Sequence, residues 1–182
     1  MKFVQSVGVF IRNNWWLILI GLWLAYTFIF SADRDNSGNV TKSGWVGTSE
    51  LQVGDCILDN DLVEDIVNES DEALYQYWVT PCEEEHTAEI FYKYDLGEIY
   101  NNWPGADELL DDMYEICIPG FENYIGLSLD ELILKYPEVA DSIDIGAFFP
   151  LEESWNLLKT YDCFVYSLDQ ELSSGSIKDT LL

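Results

Sequence analysis

Residues 15–32 (WWLILIGLWLAYTFIFSA) carry no charge and stand between a short basic head and a long acidic body. At 1.5 Å per residue, an eighteen-residue helix spans about 27 Å, close to the hydrocarbon core of a bilayer. A helix buried in a water-soluble domain is rarely apolar on every face for five turns. Trp15, Trp16, Trp23 and Tyr26 are rings of the kind that collect at membrane interfaces. The apolar run Val7 to Ile11 just before them allows an earlier start. A cleaved signal peptide shares the basic head and apolar centre, but cleavage before Asp33 would put Phe30 at −3, where a small residue is needed. The segment 15–32 is therefore expected to be a retained transmembrane helix, with membrane lipid as its first partner. Lys2 and Arg12 put residues 1–14 in the cytoplasm by the positive-inside rule. The expected location is the cell membrane, single-pass, with the C-terminal piece extracytoplasmic.

That piece, residues 33–182, holds six basic residues against all 34 acidic ones, a net charge of −28. Phosphate contacts need Lys and Arg, so no nucleic-acid partner is expected. Apolar residues reach 48% and aromatics 15%, which excludes the composition of a disordered acidic tail. The default reading of the charge is a solvated surface; a basic partner or cations are the alternatives.

All four cysteines, Cys56, Cys82, Cys117 and Cys163, fall in the acidic piece. An even count in an exported domain reads as two disulfides, and no C-x-x-C redox or zinc motif is present. Four free thiols would require the opposite topology. Three pairings exist. Cys117 ends a helical stretch and Cys163 lies on a strand expected beneath it, so Cys117–Cys163 would staple helix to sheet. Cys56 and Cys82 sit in the first two strands and form the other bridge. The rival pairing is Cys56–Cys163 with Cys82–Cys117.

Along the chain, 33–49 is polar and Gly-rich and reads as a linker. Asp33, Asp35, Ser37 and Gly38 mimic the opening of a calcium loop, but its twelfth position is Gly44 instead of a bidentate Glu, so no metal is expected there. Residues 51–58, 73–80 and 88–94 read as strands, with an acidic loop over 59–72. Leu109, Leu110, Met113, Ile116 and Cys117 share one face of a helix over 106–117 that Pro119–Gly120 should end. Ser128 and Glu131 form a capping box for a second helix, stopped by Pro137. Residues 160–167 alternate as a strand, with Tyr161, Cys163 and Val165 on the helix-facing side; 168–177 is its expected hairpin partner, and 179–182 a tail. The expected fold class is α+β, a small mainly antiparallel sheet with two helices and two disulfides over 50–178, preceded by one transmembrane helix.

Gly54-Asp55-Cys56, then Pro81-Cys82 followed by His86 and Glu89, then Cys117, then Pro150, Ser154 and Trp155 before Cys163, and finally Ser174-Gly175-Ser176, occur in that order. This arrangement resembles the actinobacterial septum formation domain family, over roughly residues 50–178. The resemblance implies a small cysteine-paired extracytoplasmic domain behind one transmembrane helix, with a link to cell division. It implies no reaction and no cofactor. It gives Gly54, Asp55, Pro81, His86, Glu89 and Trp155 structural roles, with His86 clipping a turn between two strands beside a disulfide.

His86 is the only histidine and stands among Glu83, Glu84, Glu85 and Glu89, which favour its protonated form. His86 and Glu89 at i, i+3 could both ligate a metal, but one histidine leaves zinc short of its usual ligands. Asp55 reads as a turn residue and Ser154 lacks a base. No catalytic residue and no metal site is therefore expected. The function expected is a membrane-anchored accessory or interaction module, with protein partners in a membrane or envelope complex. The alternative is a metal-dependent envelope hydrolase using His86 and nearby carboxylates.

Overall fold

The computed structural model describes residues 15–59, 76–168 and 173–181. The chain divides into two units, Met1–Ser31 and Ala32–Leu182.

In the first unit, helix α1 runs Trp15–Phe30. Its composition leaves no polar face, and Tyr26 packs on Phe30 one turn away, centroids 4.7 Å apart. Among the described residues, no helix is long and apolar enough to cross a membrane. The 16 residues of α1 rise about 24 Å, against about 30 Å of hydrocarbon.

The second unit is α+β, and every strand pair in it is antiparallel. Strands β1 (Asp33–Arg34) and β2 (Val40–Lys42) form a small hairpin. The main sheet contains β3 (Gly44–Gly47), β4 (Cys56–Ile57), β5 (Gln76–Thr80), β6 (Ala88–Asp95), β7 (Ile143–Phe148) and β8 (Thr160–Ser167), in the order β3-β5-β4-β6-β8-β7. Helices α2 (Ala106–Ile125), α3 (Leu129–Lys135) and α4 (Pro137–Ser142) lie between β6 and β7 in the chain, and α5 (Ile177–Thr180) follows β8.

The sheet curls. Strands β5 and β7 are four places apart, about 19 Å in a flat sheet, yet the rings of Tyr77 and Phe148 lie 4.2 Å apart. Inside the curl, Val46, Leu51, Ile57, Tyr77, Val79, Ala88, Ile90, Phe164 and Tyr166 form one buried cluster. On the other face, Leu109, Cys117, Phe121 and Ile125 of α2 pack with Phe91, Tyr161, Cys163 and Val165. The faces of β8 are thus those expected from its alternation. Tyr161 reinforces the contact by donating its hydroxyl to the Leu109 carbonyl. The β6–β8 register shifts between Ile90 and Tyr92. This bulge turns both Phe91 and Tyr92 toward the helix side.

Several expectations are corrected. The segment 33–49, read as a linker, forms β1, β2 and β3, and β3 pairs with β5 over four residue pairs. Polar composition hid it, because only Gly44 and Val46 of β3 are buried. The calcium-like loop is the β1–β2 turn, where the Asp35 carboxylate accepts from the backbone N–H of Ser37 at 2.8 Å and of Asn39 at 3.0 Å.

The first main strand is only Cys56–Ile57. Ahead of it, Gly54 takes φ +93° and Asp55 N–H bonds to the Gln52 carbonyl at 3.1 Å, which makes a turn of residues 52–55. The acidic loop 59–72 lies outside the described residues apart from Asp59.

The helix does not end at Pro119–Gly120: it continues to Ile125 and closes on Gly126 in the left-handed conformation. Pro119 faces solvent, and Gly120, Phe121 and Ile125 are buried. Burial on the far side of the proline outweighs the lost backbone bond.

The capping box is as expected. The Ser128 hydroxyl accepts from Glu131 N–H at 3.2 Å, and the Glu131 carboxylate accepts from Ser128 N–H at 3.2 Å. Pro137 stops α3 and opens α4. The second neighbour of β8 is β7; of the expected partner 168–177, residues 169–172 lie outside the described residues, and Ser173 bridges His86. Ile143-Asp144-Ile145-Gly146-Ala147-Phe148 alternates well enough to have been read as a strand, but Gly146 and the preceding proline-bounded helix hid it.

Candidate functional site

Two groups of the singled-out residues separate in the fold. Cys117, Cys163 and Trp155 belong to the core beneath α2. Gly54, Asp55, Cys56, Pro81, Cys82, His86 and Glu89 gather where β4, β5 and β6 meet.

The structure bonds Cys117 to Cys163, Cα atoms 5.8 Å apart, and Cys56 to Cys82, 5.3 Å apart. Both separations lie in the ordinary range for a bridge. The first staples α2 to β8 as expected. For the second, antiparallel pairing sets Cys56 opposite Thr80, two residues before Cys82. A turn at Pro81, closed by Glu84 N–H to the Pro81 carbonyl at 2.9 Å, brings Cys82 back over β4.

Trp155 is buried in an edge-to-face contact with Trp103, centroids 5.4 Å apart, and Lys159 Nζ sits 5.2 Å from its ring centre. Its role is packing.

Gly54 and Asp55 lock β4 to β6: Gly54 N–H donates to the Ile90 carbonyl at 2.7 Å and Ile90 N–H to the Asp55 carbonyl at 2.8 Å. The Asp55 side chain is 3% exposed and takes a two-pronged pair from Arg34, with Nη2 to Oδ2 at 2.7 Å and Nη1 to Oδ1. Gln52 N–H adds a third donor at 2.7 Å. The Asp55 hydrogen bond raises the Arg34 pKa above its ordinary value against the opposing effect of burial. Sequence reasoning gave Asp55 its turn and missed Arg34, which it had placed in a linker.

His86 is 2% exposed. Its Nδ1 lies 3.0 Å from the Glu84 carbonyl, which can only accept, so Nδ1 carries the proton. In the neutral ring Nε2 then accepts from the Ser173 hydroxyl, 3.2 Å away. The backbones of His86 and Ser173 exchange two bonds, at 2.9 and 3.0 Å. His86 therefore clips the β5–β6 turn to the returning chain after β8. Glu83, Glu84 and Glu85, expected to surround the ring, expose their side chains.

Glu89 stands on β6 opposite Cys56 and is 2% exposed. Its carboxylate accepts from the Tyr124 hydroxyl, from the Ser176 hydroxyl at 2.6 Å and from Ile177 N–H at 2.8 Å. One buried acid thus ties α2, β6 and α5 together, and three donors offset the cost of burying its charge. The signal for Ser176 was the Ser174-Gly175-Ser176 run; Tyr124 had none.

The interior of the curl holds a third buried acid, Asp162, 1% exposed, with Lys93 Nζ 2.9 Å from Oδ1. Lys93 donates to the Leu51 carbonyl at 2.7 Å. Burial raises the Asp162 pKa above the ordinary carboxylate value, Lys93 opposes that rise and the Asp55 charge adds to it.

No family model, no curated protein and no solved structure matches the chain. The arrangement around the first bridge is chemically that of a cross-linked scaffold: His86, Glu89 and Asp55 are each held by donors or acceptors of the protein's own.

Proposed function

We propose that this chain is a membrane-anchored extracytoplasmic accessory module of the septum formation type, acting by protein contact and not by catalysis. The observation that carries it is α1, in which every described large apolar side chain is at least 40% exposed. An uncharged cylinder that exposes its apolar side chains to this degree is best solvated by lipid. The uncharged run 15–32, extended toward Val7–Ile11, supplies the length a single span needs. Lys2 and Arg12 orient it with the N-terminus in the cytoplasm. Two disulfides in the second unit favour an oxidising compartment on the other side. The order of the cysteine motifs supports the septum formation resemblance and, through it, a role in a division or envelope complex.

The test is membrane fractionation with the chain expressed in a bacterium. The chain should resist alkaline extraction, and protease added outside spheroplasts should digest residues 33–182. Release by alkali, or protection of the second unit, overturns the reading. Cross-linking in living cells should then trap a membrane or envelope protein.

A further inference from the structure

We propose that opening the Cys56–Cys82 disulfide creates a zinc site from Cys56, Cys82, His86 and Glu89, so that this bridge gates metal binding. Cys56 Sγ, a His86 ring nitrogen and a Glu89 carboxylate oxygen all lie within 4.8 Å of one another, and all three residues are buried. In a tetrahedral zinc site, ligand atoms stand about 3.4–3.8 Å apart. These three lie within a side-chain adjustment of that spacing, and Cys82, the disulfide partner of Cys56, is the fourth donor. Sequence reasoning stopped at His86 and Glu89 because one histidine left zinc short of ligands; the β4–β6 pairing of Cys56 with Glu89 adds the sulfur.

The surroundings resemble the outer shell of a built site. His86 Nδ1–H is fixed on the Glu84 carbonyl, which leaves Nε2 as the ligating atom once the Ser173 hydroxyl turns away. A carboxylate offers about four acceptor positions. Tyr124, Ser176 and Ile177 use three on Glu89 and orient it.

The two bridges differ in access. Cys117 and Cys163 are both 0% exposed, whereas Cys82 is half-buried at the turn. The reductant is a dithiol. Its thiolate attacks Cys82 Sγ, the Cys56–Cys82 bond breaks and Cys56 leaves as a thiolate. The second thiol of the reductant then displaces Cys82, and the reductant departs as a disulfide carrying the two electrons' worth of oxidation. Zinc binding holds both cysteines deprotonated, and their protons go to solvent.

The experiment uses the full chain in detergent, oxidised or treated with a limiting dithiol, then given Zn²⁺ and desalted for metal analysis. Alkylation mapping should show Cys56 and Cys82 open first. The reduced chain should retain about one equivalent of zinc, and the oxidised chain less than about a tenth of that. Co²⁺ in place of zinc should give a thiolate charge-transfer band. His86→Ala and Glu89→Gln should each weaken binding about tenfold or more. Cys82→Ser frees Cys56 without reductant and should bind zinc with no dithiol present. The proposal is overturned if the reduced chain takes up no zinc, if the oxidised chain binds equally, or if Cys117–Cys163 opens first. Uptake indifferent to both His86→Ala and Glu89→Gln, the behaviour of thiols in an unfolded chain, also overturns it. None of these outcomes depends on the membrane topology.

Discussion

Gly120 is the residue on which the helix layer rests. A Cβ there would meet the Tyr92 ring and stand 2.8 Å from Tyr92 Cβ. Alanine gains about 1 kcal/mol of helix propensity over glycine, but overpacking costs about 1–3 kcal/mol. Gly120→Ala should therefore lower the urea midpoint, and a Tyr92→Ala background should remove the loss. A gain in the single variant would show that α2 does not sit this close to β6. Asp162 sets a pH dependence. Its pKa is raised by burial from the ordinary 3.8, so the folded state binds this proton more tightly than the unfolded state. That contribution is present in full below 3.8 and is lost as pH climbs through the raised value. Asp162→Asn removes the titration, and its stability relative to the parent should rise between about pH 3 and about pH 8. A difference constant with pH in urea titrations would place the charge in solvent.

At the scale of elements, α2 tests how far a local rule reaches. Proline inside a helix costs about 3 kcal/mol relative to alanine, and Pro119 is exposed, so little packing is lost on its removal. Pro119→Ala should stabilise the second unit by about 1–3 kcal/mol in chemical denaturation. No change would mean that the chain already leaves the helix at Pro119. The break expected there was legible but did not happen, because Phe121 and Ile125 bury against the sheet beyond it. By contrast, the Ser128 capping box and the alternation of β8 were legible and held. Both depend on contacts within a few residues.

For the whole molecule, charge is the dominant global feature. The second unit carries six basic and 34 acidic residues, a net of −28, and self-repulsion works against its compact state. Raising salt from about 0.01 M to about 1 M shortens the screening length from about 30 Å to about 3 Å. The urea midpoint should rise with salt, and a flat or falling midpoint would show that the acids are locally compensated. The sequence by itself determined the apolar segment, the acidic body, the α+β class and the count of bridges, because each follows from composition or from a short-period pattern. It also carried the reasons for stapling Cys117 to Cys163. Only the tertiary structure decided that residues 33–47 join the folded unit, since Arg34 finds Asp55 across 21 positions. The neighbours of β8 were decided in the same way, as was the meeting of Cys56, His86 and Glu89. Strand order, sheet curl and side-chain convergence arise from contacts between distant segments, and no local period encodes which segments will meet.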